Sequence, residues 1–230
     1  MATWGFEARN GSKWREIVFG MNDGLIATTG LIAGLTLTHA SHSTMVTATL
    51  AAVWAAMISM AIGSYLGTHS EVAFQQALVA RERWELADHP AEELEEMRAI
   101  YQAYGFSPDE IAVLLRAFER DPELWLRLML RDEHGVLTET WESPMANALV
   151  MAVAVLAGSV PALVPNLVLS APPHALAYVL ISAGLLAIGL GWSTARLTSQ
   201  SPVRVATKFL ALTSAAMVLG SGMGLFIGRV

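Results

Sequence analysis

The chain contains no cysteine, which excludes disulfides, zinc ribbons and thiolate metal sites. Any metal here must be held by oxygen, imidazole or thioether. Charge is scarce as well: 15% of residues are charged against 54% hydrophobic, with a mean hydropathy of +0.47. That is too apolar for an ordinary soluble domain of 230 residues, so the composition points to a membrane protein. No acidic residue follows Glu142, and 17 of the 20 acids lie between Glu71 and Glu142. The formal charge of -6 thus belongs to one segment, and nucleic acid is not expected as a partner. Also missing are G-x-x-x-x-G-K-[ST] and D-K-T-G, hence any recognisable ATP machinery, and the Glu-x-x-His of ferritin-like di-iron sites. No enzyme and no prosthetic group are expected, and movement of a cation would have to be driven by a gradient.

What is present is five apolar segments, near 17–38, 44–68, 145–166, 174–196 and 204–228. Each reaches the roughly 20 residues a helix needs to cross a bilayer. No basic n-region with a small-residue cleavage site precedes the first segment, so it is expected to be retained as a span. The predicted fold is an all-α membrane protein. Residues 1–70 form an N-terminal segment and the first two spans, 71–143 a helical insert, and 144–230 spans three to five. Arg9, Lys13 and Arg15 precede span one, seven arginines lie in the insert, and Arg196, Arg204 and Lys208 surround the link between spans four and five. The connections "HASHST" and "PNLVLSAPPHA" carry no Lys or Arg. The positive-inside rule then puts the N-terminus and the insert in the cytoplasm, with Arg229 as the exception. Twelve arginines against two lysines hint at a GC-rich genome and a bacterial inner membrane, the alternative being a vacuolar membrane.

Within the insert, Pro90, Pro108, Pro122 and Pro144 suit first helical positions, where the missing N–H is not needed. Ser107 and Glu110 form a capping box, and Gly105 and Gly135 are placed as helix stops. Span two is therefore expected to run on to about Asp88, followed by three shorter helices, one of them with an apolar face at Leu94, Met97, Tyr101 and Tyr104. Small residues recur at four-residue spacing, Ala55, Ser59, Gly63 and Gly67 in span two and Gly220, Gly224 and Gly228 in span five, a pattern that lets helices approach closely. Pro161 and Pro165 are expected to kink or end span three.

Asp23 is the one acid inside these span boundaries. An ionised carboxylate there costs several kcal/mol unless paired, so it reads as a proton or cation site; the alternative is a hydrated interfacial aspartate. On antiparallel helices Met60 reaches a similar depth, at 1.5 Å per residue. A thioether beside a carboxylate favours first-row transition ions over hard ones. Met60 could equally be core filler, as could Met57 one turn away. In the insert, Glu82 with Glu85, Glu93 with Glu96, and Met129 with Glu133 each share a helical face. Brought together they would make a multi-carboxylate divalent-metal site; apart, they are a solvated acidic face.

These residues lie in an ordered series of motifs: "NDGL" in span one, "ISMAIGSYL" then "SE" in span two, "RERWE…HPAEELEEM…YGFSP" and "DPELWLRLMLRDEHG" in the insert, and "SPMANAL…G…P…P" opening span three. The series resembles the vacuolar iron transporter family over nearly the whole chain. The resemblance implies a dimer of five-helix subunits with a cytoplasmic three-helix metal-binding domain, exporting Fe2+ or Mn2+ from the cytosol in exchange for protons. It carries the membrane metal and proton roles onto Asp23 and Met60, and the metal-domain ligands onto Glu82, Glu85, Glu93, Glu96, Met129 and Glu133. The run Glu92, Glu93, Glu95, Glu96 permits a one-residue slip, and His134 could substitute as a ligand; His39 and His42 are read as ordinary loop residues. The expected partners are Fe2+ or Mn2+ as transported and bound ions, protons, lipid and a second copy of the chain. Two rival readings remain at this point: a membrane-anchored iron buffer or sensor, and a channel with a regulatory domain.

Overall fold

The computed structural model describes residues 3–136, 141–169 and 172–227, which form eight helices and no strand. They are α1 (Thr3–Leu37), α2 (His42–Asp88), α3 (Pro90–Ala103), α4 (Pro108–Arg120), α5 (Pro122–Asp132), α6 (Pro144–Val168), α7 (Pro172–Leu197) and α8 (Pro202–Ile227). Five of them contain stretches long and apolar enough to cross a membrane: Lys13–Leu37, α2, α6, Ala175–Leu197 and Pro202–Leu219. At 1.5 Å per residue the 47 residues of α2 span about 70 Å, well beyond the ~30 Å of a hydrocarbon core. Six of the eight helices begin at a proline, the position where its ring pre-sets the helical φ at no cost in hydrogen bonds.

The chain divides into two compact units. One comprises Met1–Arg9 and Gly67–Ser143, the other Asn10–Leu66 and Pro144–Val230. In the first unit, the stops after α3 and α5 are glycines in the left-handed region, Gly105 at φ +92 and Gly135 at φ +67. α4 starts with the Ser107 N–H and hydroxyl both donating to the Glu110 carboxylate, at 2.8 and 2.7 Å. The core is built from Met97 and Tyr101 of α3, Ile111, Leu115 and Phe118 of α4, and Trp125 and Met129 of α5. Leu94 packs at its edge. Tyr104, expected on the same face, is 60% exposed because α3 has already ended and the chain turns away at Gly105.

In the second unit, close helix crossings are made by glycines. A side chain at Gly24 would overlap the carbonyl oxygen of Val155, and one at Gly158 would overlap that of Met21, so α1 and α6 pack backbone to backbone. The Ser159 hydroxyl, buried at this crossing, donates to the Val155 and Gly24 carbonyls at 2.9 and 3.3 Å. Gly191 of α7 plays the same part against Ala206 of α8. The stripe expected to pack, Ala55, Ser59, Gly63 and Gly67, is instead exposed, and among the described residues a side chain at Gly63 or Gly67 would meet nothing within 4 Å. The surroundings of Gly220, Gly224 and Gly228 lie outside the described residues.

Neither Pro161 nor Pro165 ends α6, which continues to Val168. Pro165 has no N–H to offer the carbonyl of Pro161 four residues back. The Ser182 hydroxyl of α7 replaces it, donating to that oxygen at 2.6 Å. His42 is likewise more than a loop residue, since its ring Nε2 lies 2.9 Å from the Asn166 carbonyl near the end of α6.

Candidate metal sites

In the unit containing α3 to α5, the apolar core decides where the acids point. Met97 is fully buried, and Glu93, one turn earlier on the same face of α3, is carried inward to 6% exposure. One of its carboxylate oxygens is buried with no hydrogen-bond partner among the described residues. From the C-terminal half of α2 comes Glu82, 1% exposed, and from the end of α5 come Glu133 and His134. His134 Nε2 lies 2.9 Å from a Glu82 oxygen and 3.5 Å from one of Glu133. Ligand atoms of these three residues fall within 4.8 Å of one another, close enough to converge on one cation.

The electrostatics extend the cluster beyond those three. Burial, together with the charges of Glu96, Glu82, Glu85 and Glu133, pushes the Glu93 carboxyl up to about 7. Burial also raises Glu133, and the neighbouring His134 works against that shift. Among the described residues the strong counter-charge is Arg81, whose guanidinium reaches Glu82 at 3.0 Å and Glu85 at 3.5 Å from an exposed position. Five carboxylates therefore face one arginine and one histidine, an arrangement short of positive charge. Glu92 and Glu95 turn outward, Glu95 pairing with Arg98 at 2.9 Å. The Glu92–Glu96 run thus presents Glu93 to the cluster. Met129 is fully buried in the core one turn before Glu133.

Among the spans, Asp23 of α1 is half-buried and makes no hydrogen bond or ion pair among the described residues. Sequence boundaries starting at residue 17 make it the sole intramembrane acid. The next acid back along α1 is Glu16, one residue before that boundary and within the Lys13–Leu37 part of the helix. Glu16 is 7% exposed and accepts a hydrogen bond from the Ser64 hydroxyl of α2 at 2.9 Å, with Arg15 at 3.4 Å. Seven residues separate Glu16 from Asp23, close to two full turns, so the two acids share one face of α1 about 10 Å apart.

The Ser64–Glu16 bond also fixes the register of α1 against α2. Counting back along antiparallel α2, Met57 comes level with Asp23, and Met60 lies about 5 Å nearer to Glu16. Both methionines are half-buried. Met57, read from sequence as filler, is thus placed at least as well as Met60.

The VIT family profile matches residues 14–225. The chain belongs to the VIT family. It is 33% identical to vacuolar iron transporter 1 of Arabidopsis thaliana over 88% of this chain and 82% of that protein. Against vacuolar iron transporter 1 of Oryza sativa subsp. japonica it is 30% identical over 93% of this chain and 85% of the relative. Vacuolar iron transporter 1 of Eucalyptus grandis is 28% identical over 91% and 84%. The VIT family match takes in Glu16, Asp23, Met57 and Met60 together with every acid of the cluster around Glu93.

Proposed function

We propose that this VIT family chain moves Fe2+, Mn2+ or both out of the cytosol across a membrane in exchange for protons, working as a homodimer. The observation that carries the proposal is Asp23, a carboxylate without a partner inside a membrane-length helix. Such a group is stable only with a proton or a cation, and the two compete for the same oxygens. That competition is the coupling: a metal arriving at Asp23 displaces the proton, and a proton arriving from the far side releases the metal. Glu16, held by Ser64 two turns away, is a second carboxylate on the same route. The thioethers of Met57 and Met60 favour transition ions over Mg2+, which prefers oxygen and dehydrates reluctantly.

One carboxylate cannot neutralise a divalent ion, whereas two from a dimer can. The exposed face of α2 supports that assembly. Trp54, Ile58, Ile62 and Leu66 stand out from it at four-residue spacing, beside the uncovered stripe of Ala55, Ser59, Gly63 and Gly67. The cluster around Glu93 binds the metal on the cytoplasmic side and collects it before transport. The names of the relatives in Arabidopsis and rice favour iron as cargo.

The test is flux into proteoliposomes with internal metal and internal pH read together. Uptake of Fe2+ or Mn2+ matched by proton movement in the opposite direction is expected. Metal entry without proton movement would make the protein a channel. Metal bound at the cluster with no entry at all would make it the membrane-anchored buffer.

A further inference from the structure

The second unit holds a cavity that neither metal site uses. It has a volume of about 430 Å³ and is lined by Trp14, Arg15, Val18, Phe19 and Asn22 of α1, Thr194 of α7, and Phe209 and Leu212 of α8. Its size falls in the range of small-molecule sites, and its walls are mostly apolar. Two polar atoms in those walls lack partners. The indole N–H of Trp14 and the hydroxyl of Thr194 are both buried with no hydrogen bond among the described residues. A buried donor left unpaired is costly, so this pair marks a place where a polar group belongs.

The charged residue that lines the cavity is basic. Arg15 lines it with its side chain 66% exposed, and its contact to Glu16, at 3.4 Å, is long. Each of the other two lining helices carries a basic residue close by in the chain: Arg196 two positions after Thr194, and Lys208 next to Phe209. All three are exposed, as is Lys13. Along α1 the lining runs from Trp14 to Asn22, eight residues or about 12 Å of membrane depth. Trp14 and Arg15 lie at one end of that depth and Val18 and Phe19 follow; Asn22 closes the other end, its amide oxygen accepting from the Thr213 hydroxyl at 3.4 Å.

We infer that this cavity binds a phospholipid with an anionic headgroup, one acyl chain lying between Val18, Phe19, Phe209 and Leu212 and the phosphate meeting Arg15 and the Trp14 N–H. Basic pockets between spanning helices on the positive side of a membrane protein suit this chemistry, at about 1 kcal/mol per Lys or Arg near the surface. A bound lipid would fasten α1 to α7 and α8 at the end of α1 that carries Glu16.

The experiment is native mass spectrometry of the full chain in mild detergent, titrated with dioleoylphosphatidylglycerol, dioleoylphosphatidylcholine or inorganic phosphate. The parent is expected to retain phosphatidylglycerol about fivefold more tightly than phosphatidylcholine, the worth of one basic residue. Arg15→Gln, a change at an exposed side chain, should erase that preference. Thr194→Phe should fill the cavity and abolish retention of both lipids; should it not fold, Arg15→Gln still decides. Equal retention of the two lipids overturns the inference, and so does an unchanged preference in Arg15→Gln. Inorganic phosphate displacing phosphatidylglycerol would show an anion site with no chain in the cavity, and overturns it equally.

Discussion

The two units of the molecule handle negative charge in opposite ways. In the unit around α3 to α5, five carboxylates crowd one another behind a small apolar core, and Arg81 and His134 offset part of their repulsion. Among the spans, Asp23 stands alone and Glu16 is held by one hydroxyl and a distant arginine. Crowding makes a site whose charge changes with pH and with metal, because each proton or cation relieves several neighbours at once. Isolation makes a site that must always hold something, because no neighbour can share its charge. The first arrangement suits holding an ion, the second handing it on.

The sharpest way to break this comparison is at Asp23. Asp23→Asn keeps the shape and removes the exchangeable charge, so metal flux in proteoliposomes should fall at least about a hundredfold, while thermal stability stays within ~1 kcal/mol of the parent. Flux near the parent rate would show that the span carboxylate is ornamental. Met57→Leu and Met60→Leu keep the volume and remove the sulfur. The register set by Glu16 and Ser64 predicts that the Met57 change weakens Fe2+ transport at least as much as the Met60 change.

A second effect, about tenfold or more in affinity, is expected in the crowded cluster. Glu82→Gln and Glu93→Gln should each weaken Fe2+ or Mn2+ binding by the full chain, measured calorimetrically in detergent. Glu93→Gln should also raise the melting temperature of the metal-free protein at pH 8, because an ionised carboxylate buried among four others no longer has to be accommodated. A variant that loses metal and also loses stability would mean that Glu93 is structural.

The same carboxyl predicts the pH dependence. Its value rises from the ordinary 4.5 of a free glutamate to about 7 in the folded protein. The folded state therefore holds the proton more tightly than the unfolded chain. The stability this contributes is complete below pH 4.5 and is lost as pH rises through 7. Metal binding must expel that proton, so apparent affinity should climb between pH 6 and 8 and level off above. In Glu93→Gln the slope over that interval should shrink; an unchanged slope assigns the proton to another group.

Much of this was legible in the sequence, and the parts that were not share a cause. Helix starts at Pro90, Pro108, Pro122 and Pro144, and stops at Gly105 and Gly135, follow from backbone chemistry that acts within a few residues. The face of α3 was also readable, since Met97 and Tyr101 pull Glu93 inward by spacing alone. What failed depended on which helix meets which. Gly20, Gly24 and Gly158 carry the close α1–α6 crossing, while Gly63 and Gly67 of the more regular stripe in α2 face no neighbour among the described residues. Four-residue spacing is the same in both and does not name a partner. The Ser64–Glu16 hydrogen bond joins residues 48 apart in the chain, and no local pattern announces it.

That contrast yields a stability test. Gly24→Ala drives a methyl group into the Val155 carbonyl, backbone against backbone with no flexible side chain to yield, and should cost about 1–3 kcal/mol in thermal or chemical denaturation. Gly63→Ala meets nothing among the described residues and should leave the monomer's stability alone. In a homodimer packed on this face, Gly63→Leu should still shift the chain toward monomer in size-exclusion chromatography with light scattering. If Gly63→Leu remains dimeric, the partner lies on another face.

The smallest expected effect is at Ser182, where the membrane unit repairs its own backbone. Pro165 leaves the Pro161 carbonyl without its usual donor, and in a hydrocarbon surrounding no water is at hand to replace it. The Ser182 hydroxyl does so at 2.6 Å while also lying 3.1 Å from the Val179 carbonyl of its own helix. Ser182→Ala removes the donor and keeps the small volume, so the loss should be that of one interhelical hydrogen bond in a membrane, about 0.6–1.7 kcal/mol. Pro165→Ala restores the N–H within α6 and makes the serine redundant. In the double variant the cost of Ser182→Ala should therefore fall toward zero, a coupling that a double-mutant cycle on melting temperature reads directly. If the two changes are simply additive, Ser182 stabilises the α6–α7 contact by packing, and the proline's missing N–H has no part in it.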